Sequence, residues 1–249
     1  MEELHKLFKE LEEKIESVDD ELSAWSKNYF NEGNKKRYIN DIALIKEYYS
    51  SGEILEIGAA PFHLTYLLKR SGYSVTGIDI NPQRQSSFIK DTKLNIVKSN
   101  IENEPLPFED NSFKYIIFNE IFEHLRINPI GTLREINRVL HPDGIFVIST
   151  PNLYGFRNVV NFLLGKGFDN PYEEFLKIET IKHMGHVRIY SVKQLKEFLL
   201  NTGYNPIKTQ IKTFDSYKGF WKLFILFPKL FPFFNSIQIH ICKKLHKIQ

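Results

Sequence analysis

Apolar and polar positions alternate along this chain with two different periods, and the changes of period mark its elements. Residues 2–25 place Leu4, Leu7, Phe8, Leu11, Ile15, Val18 and Leu22 three or four apart among Glu and Lys, which predicts one charged amphipathic helix lying as a lid or flank. Residues 26–34 are polar and read as a connection. Helical spacing resumes through Tyr38, Ile42, Ile45 and Tyr49 until Ser50-Ser51-Gly52 breaks it. Short apolar runs follow at 54–57, 75–78, 94–97, 115–118 and 145–150, separated by helix-period segments at 62–68, 82–91 and 131–140. The turn signal His141-Pro142-Asp143-Gly144 precedes the fifth run, and β-like runs at 207–214 and 237–241 bring the strands to seven. Strands alternating with helices predict an α/β fold: a doubly wound, Rossmann-like, mostly parallel seven-stranded sheet with helices on both faces and an N-terminal helical extension.

The pattern loosens between 153 and 187, where glycines and scattered aromatics replace regular spacing. A connection that long reads as an irregular binding loop. Ser191 then caps a helix over 192–200, closed by Asn201-Thr202-Gly203. The organisation expected is an extension at 1–34 and one main domain at 35–249, with 153–187 and 215–236 as substrate-side insertions.

The chain is organised around Ile54 to Asp79. Here a strand is followed by the small-residue turn Gly58-Ala59-Ala60-Pro61, a helix, and a second strand ending on a carboxylate. Such a βαβ unit fits a nucleoside-bearing ligand at the carboxyl ends of its strands. Small residues let backbone N–H groups approach that ligand, and Asp79 can accept hydrogen bonds from two ribose hydroxyls.

Composition narrows the partners. With 249 residues, 42% hydrophobic and 25% charged, the chain can bury one substantial core. A net charge of +3 from 33 basic and 30 acidic residues supplies no basic stripe, which argues against a nucleic-acid partner. Cys242 is the single cysteine, so no intrachain disulfide and no cysteine-based zinc site can form, and a reducing compartment is the default. Glu2 and Glu3 open a chain without an apolar leader, so a cytoplasmic location is expected.

Four motifs in order resemble class I S-adenosylmethionine-dependent methyltransferases, the group that includes ubiquinone-pathway and many sugar O-methyltransferases. Glu56-Ile57-Gly58-Ala59-Ala60 is similar to the family's acidic-x-Gly-x-Gly loop, and Asp79 to its ribose-binding acid. Leu106-Pro107-Phe108 with Asp110-Asn111-Ser112-Phe113 resembles the loop before strand four, and Asn119-Glu120-Ile121-Phe122-Glu123-His124 the segment after it. The resemblance implies that Glu56 with Gly58, Ala59 and Ala60 faces the methionyl part of the cofactor S-adenosylmethionine. Asp79 would face its ribose, Ile80 its adenine face, Asn100 and Ile101 its adenine edge, and Asn119 the region of the sulfonium. Ala60 and Phe62 stand where the family has glycines, and a phenylalanine there is expected to narrow the approach to the cofactor. Asn100 stands where many relatives have an acid.

Methyl transfer from a sulfonium needs an oriented acceptor and, for a hydroxyl, a base. His124 is the candidate base, because imidazole titrates near neutral pH, with Glu120 and His186 beside it in the catalytic set. Glu120-x-x-Glu123-His124 is expected to gather its side chains within one helical turn. With His186 it resembles the divalent-metal cluster of small-RNA 2′-O-methyltransferases, so Glu120, Glu123, His124 and His186 are candidate ligands for Mg²⁺ or Mn²⁺. His183, Arg188 and Tyr190 beside His186 suit an anionic or polyol acceptor. The run from 219 to 234, GFWKLFILFPKLFPFF, is too short and too broken to span a bilayer. With Lys243, Lys244 and Lys247 it suits peripheral contact with an anionic membrane; the alternative is an apolar connection packed beside the pocket. The expected activity is O-methylation of a small-molecule or carrier-linked sugar or other hydroxylated acceptor. A metal-dependent RNA 2′-O-methyltransferase and a catalytically degenerate scaffold are the other readings.

Overall fold

A computed structural model describes residues 2–168, 170–181, 185–214 and 227–245. Its strands are β1 Ile54–Ile57, β2 Val75–Asp79, β3 Asn95–Lys98, β4 Phe113–Asn119, β5 Leu140–Pro151, β6 Tyr204–Lys212 and β7 Ile237–Lys244. They form the expected seven-stranded sheet, in the order β3-β2-β1-β4-β5-β7-β6. β1 pairs in parallel with β2 and β4, and β2 with β3, whereas β6 and β7 are antiparallel. Two compact units share the chain, one of Met1–Ile117 with Arg138–Phe146, the other of Phe118–Asn137 with Val147–Gln249.

In the first unit, all four residues of β1 are buried. Since successive strand residues face opposite sides, β1 is covered on both. The single helix expected over 2–25 is instead two, α1 Glu2–Ser17 and α2 Ser23–Tyr29, and the connection expected at 26–34 already contains the start of α3 Glu32–Tyr48. Polar side chains cause the break. The Ser23 hydroxyl accepts the Asp20 amide at 2.7 Å, and the Asp20 carboxylate accepts the amides of Ser87 and Phe88, each at 2.9 Å. Those amides open α5 Ser86–Thr92, which follows α4 His63–Arg70 in the chain. Asp20 thus caps a helix remote in sequence, and helical geometry at 18–22 gives way to that use. α2 is fastened to α4 by the Ser26 hydroxyl, 2.8 Å from His63 Nε2, inside a nest of the Tyr29, Phe30, Tyr38 and Phe88 rings. Burial pushes the His63 pKa down to about 3, so the imidazole is neutral.

In the second unit, the 153–187 segment is not irregular. It forms α7 Phe156–Leu163 and α8 Pro171–Ile181, which follow α6 Pro129–Val139 and β5. Both helices leave large apolar residues exposed, among them Phe162, Leu163, Tyr172 and Phe175; α7 nonetheless sets Phe156, Val159, Val160 and Leu163 at helical spacing, a signal the sequence reading passed over, whereas α8 has no pattern so one-sided. β5 begins at Leu140, so the turn expected at 141–144 lies within its bounds. A sharp bend survives there: a Cβ on Gly144 would sit 2.7 Å from Leu140 Cδ1 and 2.9 Å from the His141 carbonyl oxygen. α9 Val192–Asn201 starts on the expected Ser191 cap, with Gln194 completing a capping box. The last helix, α10 Phe227–Leu230, and a 3₁₀ turn at Pro232–Phe234 are the described part of the apolar run; residues 219–226 lie outside the described residues, as do His183 and Lys247. Asn152 pins the chain after that turn, its side-chain amide donating to the Phe233 and Asn235 carbonyls at 2.9 Å each. Among the described residues no helix is long and apolar enough to cross a membrane.

Candidate functional site

At the end of β1 the chain enters a left-handed turn at Gly58, with φ of +70°. The amides of Gly58 and Ala59 both donate to the Ile78 carbonyl at 2.9 Å, that of Ala60 to the Asp79 carboxylate at 3.2 Å, and that of Phe62 to the Ala59 carbonyl at 2.6 Å. Pro61 has no N–H. Every amide of the turn is therefore committed internally, contrary to the expectation that they face the ligand. The amides of Gly58, Ala59, Ala60 and Phe62, which a phosphate cradle would turn toward its anion, are here bonded within the chain.

Phe62 also departs from expectation. It takes φ of +66° as the residue before α4 and its side chain is wholly buried, so the ring belongs to the core. Gly77, in the middle of β2, is what lets the loop settle. A Cβ there would lie 2.7 Å from Ile96 Cδ1, 3.1 Å from Ala59 Cβ and 3.2 Å from Thr65 Oγ1. A glycine inside a strand is a readable sign of close approach, and sequence reasoning passed over it.

Asp79 stands at the tip of β2. One carboxylate oxygen accepts the Ala60 amide and the other the Asn81 amide, at 3.0 Å, which fixes its plane while leaving lone pairs for further donors. Ile80, next in the chain, is 57% exposed. Asn100 is held in a turn, its side-chain oxygen accepting the Glu102 amide at 3.2 Å and its own amide donating to Glu104 at 2.7 Å; Ile101 is half-buried. The neighbouring Ser99, another residue the sequence reading missed, has a buried hydroxyl with no partner among the described residues. Glu56 is buried beneath the loop and accepts the Thr65 hydroxyl. Burial pushes its pKa up to about 8, the Thr65 hydroxyl pulls it down, and Asp41 adds to the rise. A buried carboxyl so placed gains by meeting a cation. Taken together, a buried acid, a carboxylate fixed by two amides, an exposed apolar residue and a hydroxyl without a partner among the described residues lie on β1, β2 and the turns that follow β2 and β3.

The second unit begins as β4 ends. Asn119 is its half-buried last residue. Glu120 takes φ of +57°, donates its amide to the Ser149 carbonyl at 2.9 Å and accepts the Ser149 hydroxyl at 2.8 Å. A 3₁₀ turn at Phe122–His124 follows, so the expected single helical turn over 120–124 is not formed. Glu123 is 1% exposed; its carboxylate accepts the Thr150 hydroxyl at 2.8 Å, and its carbonyl accepts the Val187 and Arg188 amides at 2.8 and 3.2 Å. His124 Nδ1 lies 3.0 Å from the Gly185 carbonyl oxygen, which can only accept. Neutral His124 therefore carries its proton on Nδ1, and its lone pair on Nε2, 3.9 Å from the Glu123 carboxylate.

His186 joins this pair, its ring 5.1 Å from that of His124. Glu123, His124 and His186 each offer one ligand atom within 4.8 Å of the others, and Glu120 is not in that group, its carboxylate being turned to Ser149. The loop carrying His186 is held from α8 as well: Glu174 accepts the His186 amide on its carboxylate at 2.7 Å and the Gly185 amide on its carbonyl at 3.2 Å. Burial alone would raise the Glu174 pKa, yet the Lys177 ammonium and the His186 amide hold it below the ordinary carboxylate value. Arg188 is exposed, and Tyr190 is a core residue packed on Phe122 and Phe198.

Known proteins resemble this chain in sequence and fold. A profile of the methyltransferase-domain family matches residues 5–209. An uncharacterized protein of Methanocaldococcus jannaschii is 26% identical over 214 residues, 75% of this chain and 82% of its own. A demethylmenaquinone methyltransferase of Tropheryma whipplei is 33% identical over 97 residues, 39% of this chain and 40% of its own. The crystal structure of an S-adenosylmethionine-dependent methyltransferase from Archaeoglobus fulgidus superposes with a TM-score of 0.62 at 17% identity, covering 89% of this chain and 98% of that one. The chain belongs to the methyltransferase-domain family and has the class I S-adenosylmethionine-dependent methyltransferase fold.

Proposed function

We propose that the protein O-methylates a hydroxylated acceptor, with His124 as the base. The observation that carries this reading is the bond from His124 Nδ1 to the Gly185 carbonyl, which leaves Nε2 basic beside a buried carboxylate. Bound S-adenosylmethionine supplies an electrophilic methyl group on a sulfonium leaving group. Asp79 would hold its ribose hydroxyls, Ile80 and the Ser99–Ile101 turn its adenine, and Glu56 with the Gly58–Ala60 turn its methionyl end. His124 Nε2 would take the acceptor's hydroxyl proton as the methyl passes from sulfur to oxygen, the sulfur–carbon bond breaking and the thioether leaving as the oxygen–carbon bond forms, and Glu123 would favour the resulting imidazolium. Isothermal calorimetry for the donor, joined to a screen of hydroxylated acceptors with products identified by mass, tests the reading. Absence of donor binding at millimolar concentration would refute it.

The ligand-type grouping of Glu123, His124 and His186 supports a second reading, in which the same atoms hold a divalent cation that lowers the acceptor's pKa. Two imidazoles with one carboxylate favour Mn²⁺ or a softer ion over Mg²⁺. Elemental analysis of the purified protein and titration with Mn²⁺ decide between them: full activity after EDTA, with no bound ion, leaves His124 as a simple base.

A further inference from the structure

One cavity in the second unit has no part in the chemistry above. It lies between α7 and α8, has a volume of about 730 Å³, and is lined by residues that include Arg157, Asn161, Lys166, Phe168, Glu173 and Glu174. That size lies within the range of pockets that hold small molecules. Its lining offers donors and acceptors together: a guanidinium, an ammonium and amides on one side of the ledger of hydrogen bonding, two carboxylates and amide oxygens on the other. Among the described residues, the side chains of Asn161, Lys166 and Glu173 have no hydrogen-bond or ionic partner. Phe168 adds an apolar ring face, stacked parallel to Phe162 with centroids 5.8 Å apart.

The mixture decides what fits. A phosphate or sulfate accepts hydrogen bonds only, and would meet Glu173 and Glu174. A hydrocarbon chain would strand seven polar or charged side chains. A sugar ring carries hydroxyls that donate and accept, and C–H faces that lie on an aromatic ring. Glu174 joins this cavity to the reacting cluster, because the carboxylate on its wall also holds the His186 amide.

We infer that the cleft between α7 and α8 binds a neutral glycosyl group of the acceptor. The inference rests on the O-methylation reading and names the class of acceptor. It is tested with the full chain by saturation-transfer NMR against the methyl glycosides of glucose, galactose, mannose, rhamnose and N-acetylglucosamine, with inorganic phosphate as the anionic control. Calorimetry of donor binding is run on the same samples. At least one glycoside is expected to bind, and Asn161→Ala and Glu173→Gln each to weaken it about tenfold or more, with donor affinity unchanged. Binding of none of the five, binding indifferent to both substitutions, or phosphate displacing the glycoside overturns the inference. Failure of donor binding with glycoside binding intact would instead overturn methyl transfer and leave the glycosyl site standing.

Discussion

One hydrogen bond sets the tautomer of neutral His124. Because Gly185 offers a carbonyl, the imidazole must donate from Nδ1, and the nitrogen near Glu123 keeps its lone pair. His124→Gln keeps much of the volume and loses the base, so kcat should fall by about 10²- to 10⁴-fold with donor affinity unchanged, as read by steady-state kinetics and calorimetry. The sequence made His124 and Glu123 visible as a pair, but Gly185, 61 positions along, was silent because any residue can lend a carbonyl. Glu120 and Phe62 share a backbone feature that the sequence reading did not anticipate. Each adopts a left-handed backbone that sends its side chain away from where a helix or an ordinary turn would put it.

Glu56 gives a prediction with a definite sign. Its carboxyl has a pKa near 8 when folded against an ordinary value of 4.5, so between these values the folded chain holds a proton the unfolded chain has lost. Stability therefore declines as pH rises from about 4.5 to about 8, by on the order of a few kcal/mol at most. Glu56→Gln removes the titration. In urea unfolding without ligand, the variant should gain on the parent as pH goes from 5 to 8, and the difference should vanish below pH 4.5; equal pH dependence of the two proteins would contradict it.

At the scale of elements, the legible ones are those whose signals are local. β1 and β4 read as buried apolar runs, and α9 carries its whole N-terminal signature in Ser191 and Gln194. The break between α1 and α2 was illegible, because Asp20 makes its bonds to amides 67 and 68 positions away. Asp20→Ala should cost about 1–2 kcal/mol in chemical denaturation and speed hydrogen exchange at Ser87 and Phe88. Unchanged exchange there would show that α5 does not depend on this cap. α7 carried a helical period in Phe156, Val159, Val160 and Leu163 that was passed over, whereas α8, which leaves Tyr172, Phe175, Leu176 and Ile178 in solvent, has no clean polar side and so no clean period.

For the whole molecule, the seven-stranded, mostly parallel sheet was legible in the alternation of strand and helix patterns, while its strand order came from the structure. The division into two units did not, since each is assembled from segments discontinuous in sequence. If the first unit holds the donor as proposed, S-adenosylmethionine at a hundredfold over its dissociation constant should stabilise the chain by about 2.7 kcal/mol, seen as a higher melting temperature. ATP and NAD at the same concentration should give no shift.

That last contrast comes from the turn at Gly58, whose amides all point back into the protein. Most adenosine in a cell travels with a phosphate tail, and a pocket reading only base and ribose would be crowded by such look-alikes. This turn excludes them by omission: a phosphate that shed its water to enter would find no amide in the turn to replace it. If the donor binds as proposed, its selection over phosphorylated adenosine compounds would rest on bonds withheld, and the alanines and proline that blur the glycine signature are compatible with that because the turn has no need to be bare.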